Sequence, residues 1–220
     1  MTYTKSDHAL IAIKAALNAV PVVGGSIASL IGDYIPLSTQ RSIDRATELL
    51  ARRLCDLEGR IDPDAVNKDQ FSELFKSCYL AVVRTTQEAK LRAASAILAN
   101  LLLKPGDREK LSYSELDHLI RCTDALSVGA LAALGAANRI ASAPGMAPDV
   151  NGSYSLTVQQ VHDALPEFDA SLLMGLIGDL NTYNLLRISG VPPIRMTQYG
   201  NFQLELTSLG RRFVERFIDA

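Results

Sequence analysis

Two stretches near the end of the chain decide its fold, DLNTYNLLRI at residues 179–188 and FQLELTSLGRRFVERF at residues 202–217. The first ends a helical pattern and continues into a short apolar run, which predicts a strand. In the second, apolar residues occupy every second position from 202 to 206, as expected for a half-buried strand. Thr207 or Ser208 can then cap a final helix. Two strands followed by a helix are therefore predicted for this end of the chain.

The segment before these stretches extends the pattern toward the N-terminus. Residues 155–157 predict a short strand, and Thr157-x-x-Gln160 is a capping box that opens a short helix. Asp169 can cap a second helix that reaches Asn184 and carries an apolar stripe at Leu172, Leu173, Leu176, Ile177 and Leu180. The predicted order is strand, helix, helix, strand, loop, strand, helix.

This order resembles the winged helix-turn-helix superfamily. DLNTYNLLRI followed by FQLELTSLGRRFVERF is similar to the pattern of many bacterial regulators, in which a second helix is followed by a Leu-Leu strand, a wing and Leu-Thr-x-x-Gly. The resemblance covers residues 154–220, about a third of the chain. It implies a small α+β domain in which the helix from Asp169 to Asn184 would be the recognition helix, and DNA binding as one function.

The charges of this segment argue against DNA binding. Residues 154–220 carry five Arg, no Lys and seven acidic residues, and the predicted recognition helix contains Asp169 and Asp179 but no cation. Proteins that read the major groove normally anchor themselves on phosphates with basic side chains. The candidate nucleic-acid contacts are Arg187, Arg195, Arg211 and Arg212. We expect a protein partner instead, since the fold alone does not choose between the two functions.

The predicted wing, residues 190–201, is apolar and contains two adjacent prolines. Such a loop loses less entropy when it docks, and exposed Ile, Met and Tyr are good interface anchors. The candidate interface residues are Pro192, Pro193, Ile194, Met196 and Tyr199. Packing of this loop on the helical part of its own chain is the alternative.

The remainder of the chain predicts helices. Of its 220 residues, 48% are hydrophobic, only 6% are aromatic and none is Trp, a composition that favours helices over a β-sandwich. Residues 1–141 are expected to form a helical bundle, and the stretch SAPGMAPDVNGS at residues 142–153 is expected to link it to the winged-helix-like domain at 154–220. The predicted fold class is therefore mainly α, with a helical bundle before a small α+β domain.

Local signals place several helix boundaries in the bundle. Ser38 is a candidate cap, and Ser112-x-x-Glu115 fits a capping box. The polar stretch at residues 84–88 is expected to kink or split a long helical region. The small residues of 128–141 would allow close helix contacts, which predicts a buried helix there.

An apolar hairpin at residues 9–35 is the most unusual part of the sequence. It includes 18 consecutive uncharged residues, Ala15 to Gly32, which is barely long enough for a membrane span. Proline and glycines in the middle favour a bent helical pair instead, and its candidate residues are Pro21, Gly24, Gly25, Ile27, Ser29 and Leu30. Burial in the bundle, oligomerisation and membrane insertion are the three alternatives for this segment.

Enzyme motifs are absent from the sequence. It has no G-x-S-x-G, no phosphate-binding loop, no H-E-x-x-H and no G-x-G-x-x-G. Its three cysteines are widely spaced, and its three histidines lie far apart. The N-terminus lacks the features of a secretory signal. We therefore expect no catalytic residue, no cofactor, no metal site and a cytoplasmic location.

Three functions follow from these observations. The first is a non-enzymatic interaction, adaptor or regulatory protein that self-associates or binds a protein partner. The second is a membrane-active protein that disrupts or perforates membranes with its 9–35 hairpin, which would place it at the membrane periphery. The third is a winged-helix transcriptional regulator, although the charges make nucleic acid the least favoured partner.

Overall fold

The computed structural model describes residues 37–62, 64–65, 69–189 and 202–219. The described chain is mainly helical, with a small three-stranded antiparallel sheet. This agrees with the predicted mainly α class. The chain divides into two compact units between Asp124 and Ala125.

The described residues of the first unit form four α-helices. They are α1 (Leu37–Asp56), α2 (Asp69–Val83), α3 (Glu88–Leu101) and α4 (Tyr113–Ala125). Helix α3 is the centre of this unit, since every residue from Ala93 to Leu101 is buried and both α1 and α2 pack on it. Its many alanines allow these neighbours to approach closely, because the distance between packed helices depends on the side chains at the contact.

Two predicted features of this unit can be compared with its structure. Helix α1 already includes Leu37, so Ser38 lies inside the helix and not at its cap. The prediction of Ser38 as the cap is therefore wrong. The predicted break at residues 84–88 is confirmed, and in it Thr85 Oγ1 accepts a hydrogen bond from Gln87 N at 3.1 Å.

Asn100, a buried residue near the end of α3, holds the loop that leads into α4. Its Nδ2 donates to the Glu109 carbonyl at 2.9 Å, and its Oδ1 accepts from Leu111 N at 2.9 Å. The capping box then opens α4, since Glu115 N donates to Ser112 Oγ at 3.3 Å and Ser112 N donates to Glu115 Oε2 at 3.1 Å. The Asn100 amide thus provides hydrogen-bond partners for two backbone groups, the Glu109 carbonyl and the Leu111 N–H, that no helix or strand pairs.

Arg60 fastens the chain after α1 to the loop after α3. Its guanidinium binds both carboxylate oxygens of Asp107, at 2.7 and 2.8 Å, and Glu109 Oε2 at 2.8 Å. Beside it, Ile61 and Leu103 form an isolated antiparallel bridge. Arg60 follows Asp56 by four residues, a spacing that would pair the two on a continuous helix, but α1 ends at Asp56 and Arg60 turns toward the loop.

This cluster makes stability depend on pH in the acid range. The Arg60 guanidinium and the Glu109 backbone N–H hold the pKa of Asp107 well below its usual range. The unfolded carboxyl titrates near pH ~4, so the stabilisation is complete above that pH and is lost as the pH falls toward the lower folded pKa. We expect Asp107→Asn to lower the thermal midpoint by a few degrees at pH 7. In melts at pH 7, 4 and 3, its difference from the parent protein should shrink as the pH falls.

Glu109→Gln is the control for this prediction. Glu109 contacts Arg60 through one carboxylate oxygen, whereas Asp107 binds it through two, so the loss at pH 7 should be smaller. A difference between Asp107→Asn and the parent that stays constant with pH would contradict the assignment.

The second unit combines helices with the sheet. Its elements are α5 (Val128–Ala141), β1 (Tyr154–Thr157), α6 (Val158–Asp163), α7 (Ala170–Thr182), β2 (Leu186–Ser189), β3 (Gln203–Leu206) and α8 (Ser208–Phe213), which continues as a π-helical turn over Val214–Ile218. Strand β3 lies between β1 and β2 and is antiparallel to both. Its inward residues, Leu204 and Leu206, are buried together with Phe213, Phe217 and Ile177.

Helix α5 belongs to this second unit, so the predicted domain boundary at residues 142–153 differs from the observed one. The predicted burial of α5 is confirmed, and the helix packs on α7, α6 and β1. Residues 142–153 form an irregular loop, as their Pro and Gly content indicates, but the loop lies within the unit. Asp149 Oδ1 organises it by accepting hydrogen bonds from Asn151 N and Ser153 N at 2.8 Å.

The helix caps predicted for this unit are confirmed. Thr157 and Gln160 form the capping box of α6, Asp169 caps α7, and Thr207 caps α8. Sequence left Thr207 and Ser208 as alternatives for the last cap, and the Thr207 side chain accepts from Gly210 N at 2.9 Å.

Gly210 allows α8 to pack directly against the backbone of Leu185, the residue before β2. A Cβ atom built on Gly210 would lie 2.1 Å from the Leu185 carbonyl oxygen. Beside this contact, Thr207 Oγ1 donates to the Asn184 carbonyl at 2.8 Å. The glycine of the Leu-Thr-x-x-Gly pattern therefore has a steric origin in this fold.

Candidate interaction surface

One face of α7 is open to solvent. The opposite face is buried through Leu173, Leu176, Ile177 and Leu180, whereas the open face presents Ser171, Leu172, Gly175, Asp179 and Thr182. Leu172 is 48% exposed, which corrects its placement in the predicted apolar stripe. The residue stands one position before the buried Leu173, and a step of 100° around a helix turns it to the solvent side.

Glycines make this open face flat. Cβ atoms built on Gly175 or Gly178 would meet no atom within 4 Å, so neither glycine is required by packing within the described chain. Each glycine in a helix costs about 1 kcal/mol relative to alanine. Together with Ser171 and Thr182 they leave room for another backbone to approach closely.

The arginines proposed as nucleic-acid contacts lie beside acidic and polar groups of their own unit. Arg187 Nε donates to Asn184 Oδ1 at 2.6 Å, and its Nη1 lies 3.6 Å from Glu205 Oε1. Arg211 Nε donates to Glu215 Oε1 at 2.6 Å, and its guanidinium stacks 5.0 Å from the centre of the Tyr154 ring.

Arg212 and Arg195 complete this group of candidate contacts. Arg212 is half-buried on α8, and Arg195 lies outside the described residues. Structure therefore places Arg187 on β2 and Arg211 and Arg212 on α8, while α7 itself contributes no cation to a nucleic-acid surface.

Known proteins offer no guide to this surface. The chain matches no known protein family, no curated protein and no solved structure. Its function is therefore inferred from its own surfaces and charges.

The other predicted site residues lie outside the described residues and stay predictions. They are the hairpin residues Pro21, Gly24, Gly25, Ile27, Ser29 and Leu30, and the wing residues Pro192, Pro193, Ile194, Met196 and Tyr199. Within the ranges that the structure describes, no helix combines the length and the apolar character needed to cross a membrane. In the same ranges, no group of three or more His, Cys, Asp or Glu is arranged to hold a metal ion.

A histidine–cysteine pair on α4 was missed by the sequence interpretation. His118 Nε2 lies 3.5 Å from Cys122 Sγ, one helical turn away. The signal in the sequence is their i, i+4 spacing, which places both side chains on the same face of a helix. Burial raises the pKa of the Cys122 thiol to about 12, so the thiolate required of a nucleophile is scarce at neutral pH.

Thiol labelling checks this assignment. Cys55 is exposed, whereas Cys78 and Cys122 are buried. At pH 8 we expect a maleimide to modify Cys55 rapidly and the other two slowly, with all three reacting in denaturant. Peptide mass spectrometry would locate the label, and rapid modification of Cys122 in the folded chain would contradict the buried, protonated thiol.

A second candidate surface is an apolar groove in the first unit. It runs between α1 and α2 over a floor formed by α3 and is open to solvent along one side. Principal lining residues are Ile43, Thr47, Leu50, Phe75, Tyr79 and Val82. Among the described residues that line it, none is charged.

Proposed function

We propose that the chain is a non-enzymatic interaction or regulatory protein whose second unit is a winged-helix-like module that binds protein. The order β1, α6, α7, β2, β3, α8 and the sheet order β1-β3-β2 support the module, because they agree with the topology that the resemblance implies. In that topology α7 holds the position of the recognition helix.

The open face of α7 is the observation that carries the proposal. Where a DNA-reading helix would carry cations and amides, this face has Leu172, two glycines and Asp179. A carboxylate facing phosphates is repulsive, and the flanking Asp169 adds to the repulsion. A flat, weakly polar face with one exposed leucine suits a second helix or another protein surface.

The paired arginines support the same choice. To contact phosphates, Arg187 and Arg211 would have to give up their interactions with Glu205 and Glu215. The Glu215 side chain raises the pKa of the Arg211 guanidinium, which is the direction expected for a stabilised ion pair. Both exposed pairs are modest in energy, so this argument adds to the one from α7.

Substitutions on the open face test the proposal. Leu172→Asp removes the exposed anchor without opening the core, and Gly175→Ala with Gly178→Ala fills the flat face while improving helix propensity. We expect both variants to weaken self-association or partner binding at least ~10-fold, as loss of an anchor worth more than 1.4 kcal/mol would. The glycine variant should meanwhile melt higher than the parent.

Light scattering after size exclusion measures self-association, and co-purification from the source cell measures partner binding. Gln159→Ala, at an exposed position on α6, is the control and should leave both unchanged. A parent protein that is strictly monomeric and retains no partner would contradict the proposal.

A gel shift at low salt distinguishes the regulator alternative, because phosphate contacts are strongest there. We expect no shift with genomic fragments. A shift that Arg187→Ala and Arg211→Ala abolish would support DNA binding instead.

The membrane-active alternative concerns residues 9–35. It predicts that the protein floats with liposomes and that Ile27→Asp prevents this flotation.

A further inference from the structure

We propose that the groove between α1 and α2 is the docking site of the chain's own uncharged segment, residues 15–32. This inference goes beyond the proposed function, which concerns the second unit. Three observations favour this segment as the occupant of the groove: its uncharged composition, its short distance from α1 along the chain, and its covalent connection to α1.

The chemistry of the groove and of the segment agree. Apolar side chains line most of the groove, and one of its few polar groups, Ser95 Oγ, already donates to the Ala46 carbonyl at 2.9 Å. A charged partner would therefore be desolvated there without an ion-pairing group among the described lining residues. Residues 15–32 are 18 in number and carry no formal charge, whereas every described helix contains at least one charged residue within its span.

The length of the connection places the segment within reach. Gly32 is five residues before Leu37, the first residue of α1, so the two are at most ~18 Å apart. The groove begins on α1 at Ile43, which lies about 9 Å along the helix from Leu37, and continues to Leu50, about 20 Å from it. Eighteen residues span about 27 Å even when helical, so the segment is long enough to follow the groove.

Covalent connection favours this segment over a free partner. A short tether gives an effective concentration on the order of millimolar, which exceeds that of most free proteins. An apolar segment that ends five residues before the start of α1 therefore has first access to an apolar groove that α1 forms. Burial of both surfaces removes them from water together.

Photo-crosslinking of the full chain tests the docking. Benzoylphenylalanine replaces Tyr79, a half-buried aromatic residue of the groove, and mass spectrometry maps the crosslinked peptides. Arg52 is the control position, since it is 65% exposed and points away from the groove on the far side of α1. We expect crosslinks from position 79 to residues 15–32 of the same chain and none from position 52 to that segment.

Three further measurements make the result decisive. A mixture of isotopically heavy and light chains distinguishes crosslinks within a chain from crosslinks between copies. Ile27→Asp should lower the yield by about tenfold or more, because a carboxylate is costly to bury, whereas Thr4→Asp should not change it. Benzoylphenylalanine at Thr47 repeats the test if the substitution at Tyr79 lowers the melting temperature.

Crosslinks to 15–32 within one chain that Ile27→Asp removes would support the proposal. Crosslinks to a second copy, or crosslinks from both groove positions that miss residues 15–32, would overturn it.

Discussion

Gly210→Ala is expected to destabilise the second unit by about 3 kcal/mol, the upper part of the range for overpacked sites. The added methyl group would lie 2.1 Å from the Leu185 carbonyl oxygen, a backbone atom that no rotamer change can move. Relief requires α8 to shift away from β2, which also loosens the Thr207 cap. Total stability of a protein of this size is typically about 5–15 kcal/mol, so the loss is a large fraction of it.

Gly178→Ala is the matched control for this variant. It makes the same chemical change in a helix of the same unit, but its Cβ would enter open space. The control should gain up to about 1 kcal/mol from helix propensity. Circular dichroism melts give the two stabilities, and amide exchange over residues 203–218 should accelerate in Gly210→Ala alone. Equal stability of the two variants would contradict the close approach of α8 to Leu185.

Asn100→Leu is expected to cost about 3 kcal/mol in the first unit, since two backbone groups would each lose a partner at about 1–3 kcal/mol. The affected groups are the Leu111 N–H and the Glu109 carbonyl. Leucine keeps the branched skeleton of asparagine but has bulkier methyl groups, so the same substitution at Asn138 is needed to separate the loss of hydrogen bonds from the change in packing. The Leu111 amide should exchange with solvent faster in this variant, and this readout is specific to the loop.

Asn138 provides an internal comparison for Asn100. Both side chains belong to residues that are 7% exposed, but Asn138 Oδ1 has no hydrogen-bond partner among the described residues. An unpaired buried polar atom is unfavourable, so Asn138→Leu should be close to neutral or stabilising by about 1 kcal/mol. If both leucine variants lose the same stability, the difference in hydrogen bonding does not control their energies.

Local signals predicted much of this fold because they act over a few residues. The capping boxes at Ser112 and Thr157 and the caps at Asp169 and Thr207 all depend on side chains within three positions of the groups they bind. The alternation from 202 to 206 likewise predicted β3, because neighbouring side chains on a strand point to opposite faces.

Features that depend on distant residues were not predictable in the same way. No residue near Asn100 in sequence indicates that its side-chain amide hydrogen-bonds to the backbone of Glu109 and Leu111. The assignment of α5 to the second unit depends on its packing against α7 and β1, which lie later in the chain. Composition placed the boundary at 142–153 because Pro and Gly mark loops, but loops occur inside units as well as between them.

The candidate surface on α7 was predicted in part. Sequence showed that the helix lacks cations, and this remains the basis of the proposal. It did not show which leucine points outward, because Leu172 and Leu173 are equally apolar and only the position of the core separates them. The pairing of Arg211 with Glu215 follows from their i, i+4 spacing, whereas the stacking on Tyr154 needs the sheet to bring them together.

The position of α5 also decides how this protein can be divided. A fragment that starts at residue 154 would omit α5, which packs on α7, α6 and β1. The apolar surfaces that those elements bury against α5 would then be exposed to solvent. Such a fragment is expected to aggregate during expression, whereas one that starts near Ser127, the cap of α5, retains a complete core. Any exchange or fusion of this module, in the laboratory or in evolution, would therefore have to carry α5 with it.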